Sequence, residues 1–515
     1  MGNRGHLFVV QADLTRLAAD AFLIPCDEQL NVSGTWRPFI DGGPAQPADR
    51  WFKPADVQLE NGLAVLPDPT PEKPQRPDEV VGLRVLVDTV GPHSINDMVE
   101  RALDAVHVAA DKASKHSGRA LPLVALPILG VGQGRFPGQR AEVVRLLVSR
   151  LHDFVADHPI DVALVLRRTS DFAAVQWARQ LVESEGQDAW PELAELRPLA
   201  DELGDKAGRG ELSLFVGAGA SKPVGFPDWQ ELLEELDTHK RLDFSGNPNY
   251  PQLAEQLDVP DLNDRIASRF STRKHAISHG LLAGLRAQAQ VTTNYDPCLE
   301  NAGLATYGVG GQRVLARQLA RGGTPWLLKL HGDLAKPDTI VLTETQYRQL
   351  EGDKKALRGV VQALMLTSHL LFVGFGFADD DFLAMSEAVD HIRALADDTE
   401  RGPVGTAIEL RDSSADPDRR RFAELDYRAM SPADGSIGEA ARRLEIFLDR
   451  VAWKCQVAGA GRAAFLLDAD YRGGADPRDE ALIHALTRLS KARAEWGTSA
   501  GSQDVLHLLQ RLGLR

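Results

Sequence analysis

Leu212-Ser213-Leu214-Phe215-Val216-Gly217-Ala218-Gly219-Ala220-Ser221 reads as a short buried strand that runs directly into a glycine turn. Gly225-Phe226-Pro227-Asp228-Trp229 follows, and there Asp228 is placed to cap a helix with Glu231 three residues on, while Trp229, Leu232, Leu233 and Leu236 make its apolar stripe. Strand, glycine turn and helix in this order form one step of a parallel α/β sheet. Glycines in such a turn let backbone N–H groups approach a diphosphate, whose charge the following helix N-terminus favours. The third glycine of a hydride-transfer fingerprint is missing, because Lys222 stands in its place, and no Gly-Lys-Ser/Thr element of a P-loop occurs.

Working outward, three more apolar runs end the same way. Ala289–Thr293 ends in Asn294-Tyr295-Asp296, Trp326–Leu330 in His331-Gly332-Asp333, and Leu370–Val373 in Gly374-Phe375-Gly376-Phe377, followed by Asp379, Asp380 and Asp381. Taken singly, each polar ending can be a turn cap or a structural imidazole. Taken together, an amide, an imidazole and two glycine turns reach one sheet edge, and ligands of open parallel sheets sit beyond the carboxyl ends of the strands.

The fold class is therefore α/β, and at 515 residues the chain is too long for one ordinary core. Strand-like Leu7–Gln11, Ala21–Pro25, Val80–Val87, Leu121–Ile128 and Val162–Leu166 alternate with helical spacings through Met98 to Ala110 and Val143 to Phe154. A Pro- and Asp-rich stretch from Asp41 to Pro77 reads as a long loop, and the glycines of Glu202–Gly210 read as a boundary. The expected domains are 1–200, 205–455 with a Rossmann-like parallel sheet, and a small helical tail at 456–515. In that tail Leu482, Leu486, Leu489, Val505, Leu508 and Leu509 form stripes that can serve an oligomer contact or pack on their own domain.

Composition sets further limits. With 58 Lys plus Arg against 73 Asp plus Glu, the formal charge of −15 repels a phosphate backbone, so nucleic acid is not an expected partner. Cys26, Cys298 and Cys455 are too few and too scattered for a disulfide framework or a four-cysteine zinc site, and no metal is expected. No apolar stretch reaches bilayer length, so the expected location is the cytoplasm and no membrane partner is expected.

The ordered set over residues 205–455 resembles the NAD site of the sirtuin (Sir2) family. The resemblance implies that Gly217, Ala218, Gly219, Ser221, Phe226, Asp228, Asp296, Gly374, Phe375 and Gly376 contact NAD, and that Asn294 and His331 are catalytic. Two departures argue against protein deacylation: no cysteine lies between His331 and Gly374, and Gln230 replaces the family's arginine. Thr-Thr-Asn-Tyr-Asp, Lys-Leu-His-Gly-Asp and Phe-Val-Gly-Phe-Gly-Phe are closer to the bacterial Sir2-like subgroup of antiphage defence. That subgroup implies hydrolysis of NAD+, as substrate, to nicotinamide and ADP-ribose. Asn294 suits this chemistry because an amide holds a ribose hydroxyl and a water without adding charge, and His331 because an imidazole can take the proton.

The N-terminal part resembles macro domains, which bind ADP-ribose. Asp13 matches the adenine-contacting position, and Gly130, Val131, Gly132, Gly134, Arg135 and Phe136 match the phosphate loop after Leu126-Pro127. Pro25-Cys26-Asp27-Glu28 replaces the family's Asn-Ala-Ala-Asn segment, which argues against ADP-ribosyl hydrolysis. This part is expected either to sense a nucleotide signal or to serve assembly. An unregulated NADase would kill its host, so the expected partners beyond NAD are an ADP-ribose-like activator, a phage-derived trigger or partner defence protein, and further copies of the chain. A deacylase or ADP-ribosyltransferase, and a noncatalytic nucleotide-binding scaffold, remain the alternatives.

Overall fold

The computed structural model describes residues 4–41, 57–71, 74, 76–113, 119–245, 248–315, 318–320, 323–349, 351–377, 380–395, 402–410, 422, 424–430, 436–471, 479–496 and 499–514. The chain divides into two units: one holds 1–72, 80–208 and 446–515, the other 73–79 and 209–445.

In the first unit the apolar runs become strands because both of their faces are covered. β1 (Leu7–Gln11), β2 (Ala21–Cys26), β3 (Leu63–Leu66), β4 (Leu83–Asp88), β5 (Leu123–Leu126) and β6 (Asp161–Leu166) form one sheet in the order β1-β6-β5-β2-β4-β3. All pairings are parallel except β3 with β4. Side chains alternate between the faces. Leu7, Val9, Leu23, Val85 and Val87 join a core with the helices Ile95–Lys112, Arg140–Asp157 and Thr169–Ser184, while Ile24, Cys26 and Leu86 share another with Ala64 and Leu66.

Three expectations change here. The stretch expected as a loop between Asp41 and Pro77 contains β3, whose apolar residues pair at the sheet edge; its residues 42–56 lie outside those described. The glycines near 204 sit inside a helix, Arg197–Gly208, because Gly204 faces Lys454 and Val451 so closely that a Cβ would stand 2.6 Å from the Lys454 side chain. The start of the segment expected as a tail belongs to the core: Ala464, Phe465 and Tyr471 pack with the three helices, the Tyr471 hydroxyl donates to Asp171 at 2.7 Å, and Arg168 pairs with Asp468 and, at 3.0 Å, with Asp470. The helices Glu480–Lys491 and Ala500–Arg511 follow, with Leu509 buried and Leu482, Leu489 and Leu508 exposed.

A fully buried carboxylate ties this unit together. Asp449 accepts from the Val9 amide at 3.2 Å, from Arg179 at 3.1 and 2.6 Å, from Trp190 Nε1 at 2.9 Å and faces His6 Nε2 at 2.9 Å. Arg179 and Arg450 lie 4.3 and 4.6 Å from the Trp190 ring centre. The charge is retained in the interior, with its pKa held far below the carboxylate range: the Arg179 charge and the His6 contact outweigh burial, which is the largest single influence and acts the other way.

The second unit is a parallel sheet of β7 (Leu212–Val216), β8 (Ala289–Thr292), β9 (Arg313–Leu315), β10 (Trp326–Lys329), β11 (His369–Val373), β12 (Gly405–Leu410) and β13 (Leu425–Met430), ordered β13-β12-β11-β7-β8-β10-β9. Phe215, Val291, Leu328, Leu370 and Phe372 form its core with Val361, Met365, Phe382 and Met385. Among the described residues no helix is long and apolar enough to cross a membrane.

Removing the Asp449 carboxylate leaves the buried Arg179 without its counter-charge, so Asp449→Ala is expected to cost about 3–5 kcal/mol, read from the urea midpoint. Burial also pushes the His152 pKa down to about 3, helped by the Arg179 charge. The unfolded chain therefore takes up this proton first, and stability falls as pH drops from the free imidazole value of about 6.5. Denaturation at pH 7 and pH 5 is expected to show that loss, and His152→Leu to reduce it.

Candidate functional site

Strand pairing brings the four motif-bearing runs to one level. Val373 pairs with Val216, Val216 with Thr292, and Thr292 with Lys329, so a single row crosses β11, β7, β8 and β10 one residue before Gly374, Gly217, Thr293 and Leu330. From β7 the chain moves to β8 and β10 on one side and returns to β11 on the other, which opens a crevice beyond the carboxyl end of β7.

A pocket of about 400 Å³, counting space open to solvent, lies there. Of the residues expected to touch NAD or react, Ala218, Ser221, Phe226, Asp228, Asn294 and Asp296 line it. Pro227, Trp229, Leu232, Phe270, Thr293 and Tyr295 complete the wall without having been singled out from sequence as site residues. Phe226 stacks on Phe270 at 5.2 Å, and Phe270 meets Tyr295 edge-on at 5.7 Å, giving a largely aromatic side. Asp228 and Glu231 form the reciprocal cap of the helix Trp229–Leu236, and Lys222 bonds to both carboxylates, at 2.8 Å to Asp228.

The glycine turns serve close approach. A Cβ on Gly217 would lie 2.4 Å from the Gly374 carbonyl oxygen, and Gly374, at φ +65°, would place one 2.3 Å from the Ala220 nitrogen. The amide of Gly217 donates to Val373 O and that of Gly219 to Gly374 O, both at 2.9 Å, so the turns after β7 and β11 hold each other. A 3-10 helix, Ala218–Val224, separates the turn from the capped helix. Gly217, Gly219, Gly374, Phe375 and Gly376 are not part of the pocket lining, and the Phe375 ring packs among Phe215, Phe377 and Phe382. Asp379 lies outside the described residues, as do the side chains of Asp380 and Asp381.

Asn294 is buried and its side-chain nitrogen donates to Gly217 O at 3.1 Å and Ser221 Oγ at 3.2 Å. Ser221 in turn donates to Asp296 at 2.8 Å and lies 3.4 Å from His279 Nε2. Burial lowers the His279 pKa to about 4 against the opposing pull of Asp296, and raises the Cys298 thiol well above its usual value, which keeps both groups neutral. Among the described residues, His279, Asp296 and Cys298 are the one set whose donor atoms lie close enough, within 4.8 Å of one another, to hold a metal ion, and Ser221 already bridges two of them.

His331 is buried at the end of β10, with the Tyr347 hydroxyl 3.2 Å from Nε2. It does not line the pocket itself; Trp229, which does, meets its ring edge-on at 6.3 Å. Lys329, two residues earlier, is buried and donates to Tyr295 O and Asp296 O at 2.8 Å and to Glu300 at 3.0 Å, pinning the loop after β8.

In the first unit, Asp13 follows β1 and the 130–136 loop follows β5, on either side of β6 at the same sheet edge. One Asp13 oxygen takes the Thr15 amide and hydroxyl at 3.1 and 2.8 Å; the other is 3.8 Å from Arg167. The loop closes on itself through Phe136 N–H to Gly130 O, and Gly134 sits so near that a Cβ would be 2.7 Å from Gly130 Cα. Arg135 donates its amide to Thr89 O, Val131 and Phe136 are buried in the core, and a Cβ on Gly132 would meet open space.

Comparison with known proteins places these observations. The NAD(+) hydrolase ThsA of Acinetobacter baumannii is 26% identical over 195 residues, 36% of this chain and 40% of that protein; ThsA of Enterococcus faecium is 28% identical, covering 33% and 38%. Defense-associated sirtuin 2 of Bacillus subtilis is 23% identical over 35% of this chain and 19% of its own length. The chain thus spans about two fifths of the curated ThsA relatives it matches. A macrodomain of Oceanobacillus iheyensis solved with ADP is 10% identical, with a TM-score of 0.23 over 36% of this chain and 94% of that one. The family model for the SIR2-like domain matches residues 288–427. That match opens one residue before β8 and ends within β13, so the strands that carry Asn294 and His331 are those of a SIR2-like domain, which this chain contains.

Proposed function

We propose that the second unit is an NAD+ glycohydrolase, cleaving the nicotinamide–ribose bond to give nicotinamide and ADP-ribose, and that it depletes NAD+ in antiphage defence. The observation that carries this reading is Asn294: a buried amide on the wall of an aromatic pocket at the sheet's switch point, with its side-chain oxygen unpartnered among the described residues. ThsA of Acinetobacter baumannii, 26% identical over 195 residues, is named an NAD(+) hydrolase.

The glycosidic bond to nicotinamide is activated, since a neutral pyridine departs and leaves an oxocarbenium-like sugar. The protein's work is to hold the ribose, exclude bulk water and present one water. Asn294 accepts from a ribose hydroxyl or that water, the rings of Phe226, Trp229, Phe270 and Tyr295 exclude solvent, and the base role goes to His331, which does not line the pocket and reaches it past Trp229. Trp229 is the shared wall through which His331 borders the pocket. Asp296, committed to Ser221 and to the Cys298 amide, braces the loop.

In the first unit, the proposed ligand is an ADP-ribose-like nucleotide that activates the chain, with Asp13 and the 130–136 loop as its site. It shifts the chain toward activity only through tighter binding to the active state.

Incubating the purified chain with NAD+, with and without ADP-ribose derivatives, is expected to release nicotinamide with no acylated peptide present. Asn294→Ala and His331→Ala are each expected to lower the rate by about 10²-fold or more. Turnover that requires a protein substrate, or tight binding without turnover, would sink the proposal. ADP-ribose is expected to raise the melting temperature of the wild-type chain, and Asp13→Ala to abolish that rise; an unchanged shift in the variant removes Asp13 from the site.

A further inference from the structure

The hydrogen bonds around Asn294 leave each proton one place to go. A peptide carbonyl only accepts, so the side-chain atom 3.1 Å from Gly217 O is the amide nitrogen. Its other bond goes to Ser221 Oγ. The Ser221 hydroxyl has a single proton, and the Asp296 carboxylate at 2.8 Å takes it, which leaves the two serine lone pairs for Asn294 and for His279. His279 Nδ1 accepts the Ala276 amide at 3.2 Å and so carries no proton; in a neutral ring the proton then sits on Nε2, 3.4 Å from Ser221 Oγ. The far oxygen of Asp296 takes the Cys298 amide at 3.0 Å. The Asn294 side-chain oxygen is the atom left over, buried and without a partner among the described residues.

We propose that His279, Ser221 and Asp296 form a positioning relay that locks the Asn294 amide in one orientation, so that the pocket offers an acceptor and selects a ligand that presents a hydroxyl. His279 is a positioning residue that acts through Ser221 and does not line the pocket. With its nitrogen turned outward instead, the amide would present two donors and favour a carbonyl or phosphate oxygen. The direction of the relay stands on the geometry alone; the naming of the hydroxyl as one on ribose, or on the attacking water, rests on the NAD+ reading.

Two measurements on the full chain test it. In ¹⁵N-histidine-labelled protein, His279 is expected as the Nε2–H tautomer at neutral pH; an Nδ1–H tautomer, or stoichiometric metal on His279, Asp296 and Cys298 by elemental analysis, overturns the relay. In calorimetric titration with NAD+, Ser221→Ala and His279→Phe are each expected to weaken binding about tenfold, the size of one lost hydrogen bond. His279→Gln, whose amide N–H can stand in place of Nε2–H, is expected to stay within about threefold of wild type. Equal binding by folded His279→Phe and wild type overturns the relay, as does a folded His279→Gln no better than His279→Phe. Should the wild type bind no NAD+, the functional reading fails, while the tautomer still decides the relay.

Discussion

The site depends on a single row of residues in register: Val373, Val216, Thr292 and Lys329 stand side by side across four parallel strands. A slip of one residue in any pairing would turn that strand's side chains to the other face and move its terminal turn by about 3.3 Å. The slip is resisted because Phe215, Val291, Leu328 and Phe372 are buried in one core, and because the turns after β7 and β11 are interlocked at Gly217 and Gly374. Chemistry-bearing residues separated by up to 157 positions in the chain, Gly217 to Gly374, are thereby brought to one edge without any long loop having to fold precisely.

The four strands that carry the site are legible in the sequence because each is a mainly apolar run, broken by no more than one or two polar residues, that ends in a turn bearing glycine, Asn294 or His331. β9, β12 and β13 are not, since Arg313, Glu409, Asp426 and Arg428 interrupt them, as expected of strands toward a sheet's margins. Asn294 stands out as a polar residue at a strand end. His279 does not, because it lies within Ile277–Gly284, which reads as one more apolar helix; the available signal was that a buried imidazole among aliphatic neighbours has to be hydrogen-bonded. The aromatic wall was hidden for another reason. Trp229 and Phe226 are near the glycine turn in sequence, but Phe270 joins them from a segment with no motif of its own.

The first unit shows the same contrast. Five of its six strands and two of its core helices follow from periodicity, while β3 does not, and the buried Asp449 belongs to a helix far along the chain, where nothing near it in sequence announces that it will meet His6, Arg179 and Trp190. Burying a charge this way is tolerated because five donors converge on two oxygens, and it carries a specificity that apolar contact lacks: the set closes only when the N-terminal strand and the late helix are both in place.

Lys329 has a further consequence. Its ammonium group grips the backbone after β8 while its own strand delivers His331 two residues later, so amide and imidazole are spaced by short, rigid arms from one buried cation. Of the segment that joins these strands, Tyr295, Asp296 and Glu300 take part in that spacing as the partners of Lys329. A change of length in the connection beyond Glu300 thus leaves the same reactive geometry to be inherited, provided the lysine, the partners it grips and the row it ends are kept.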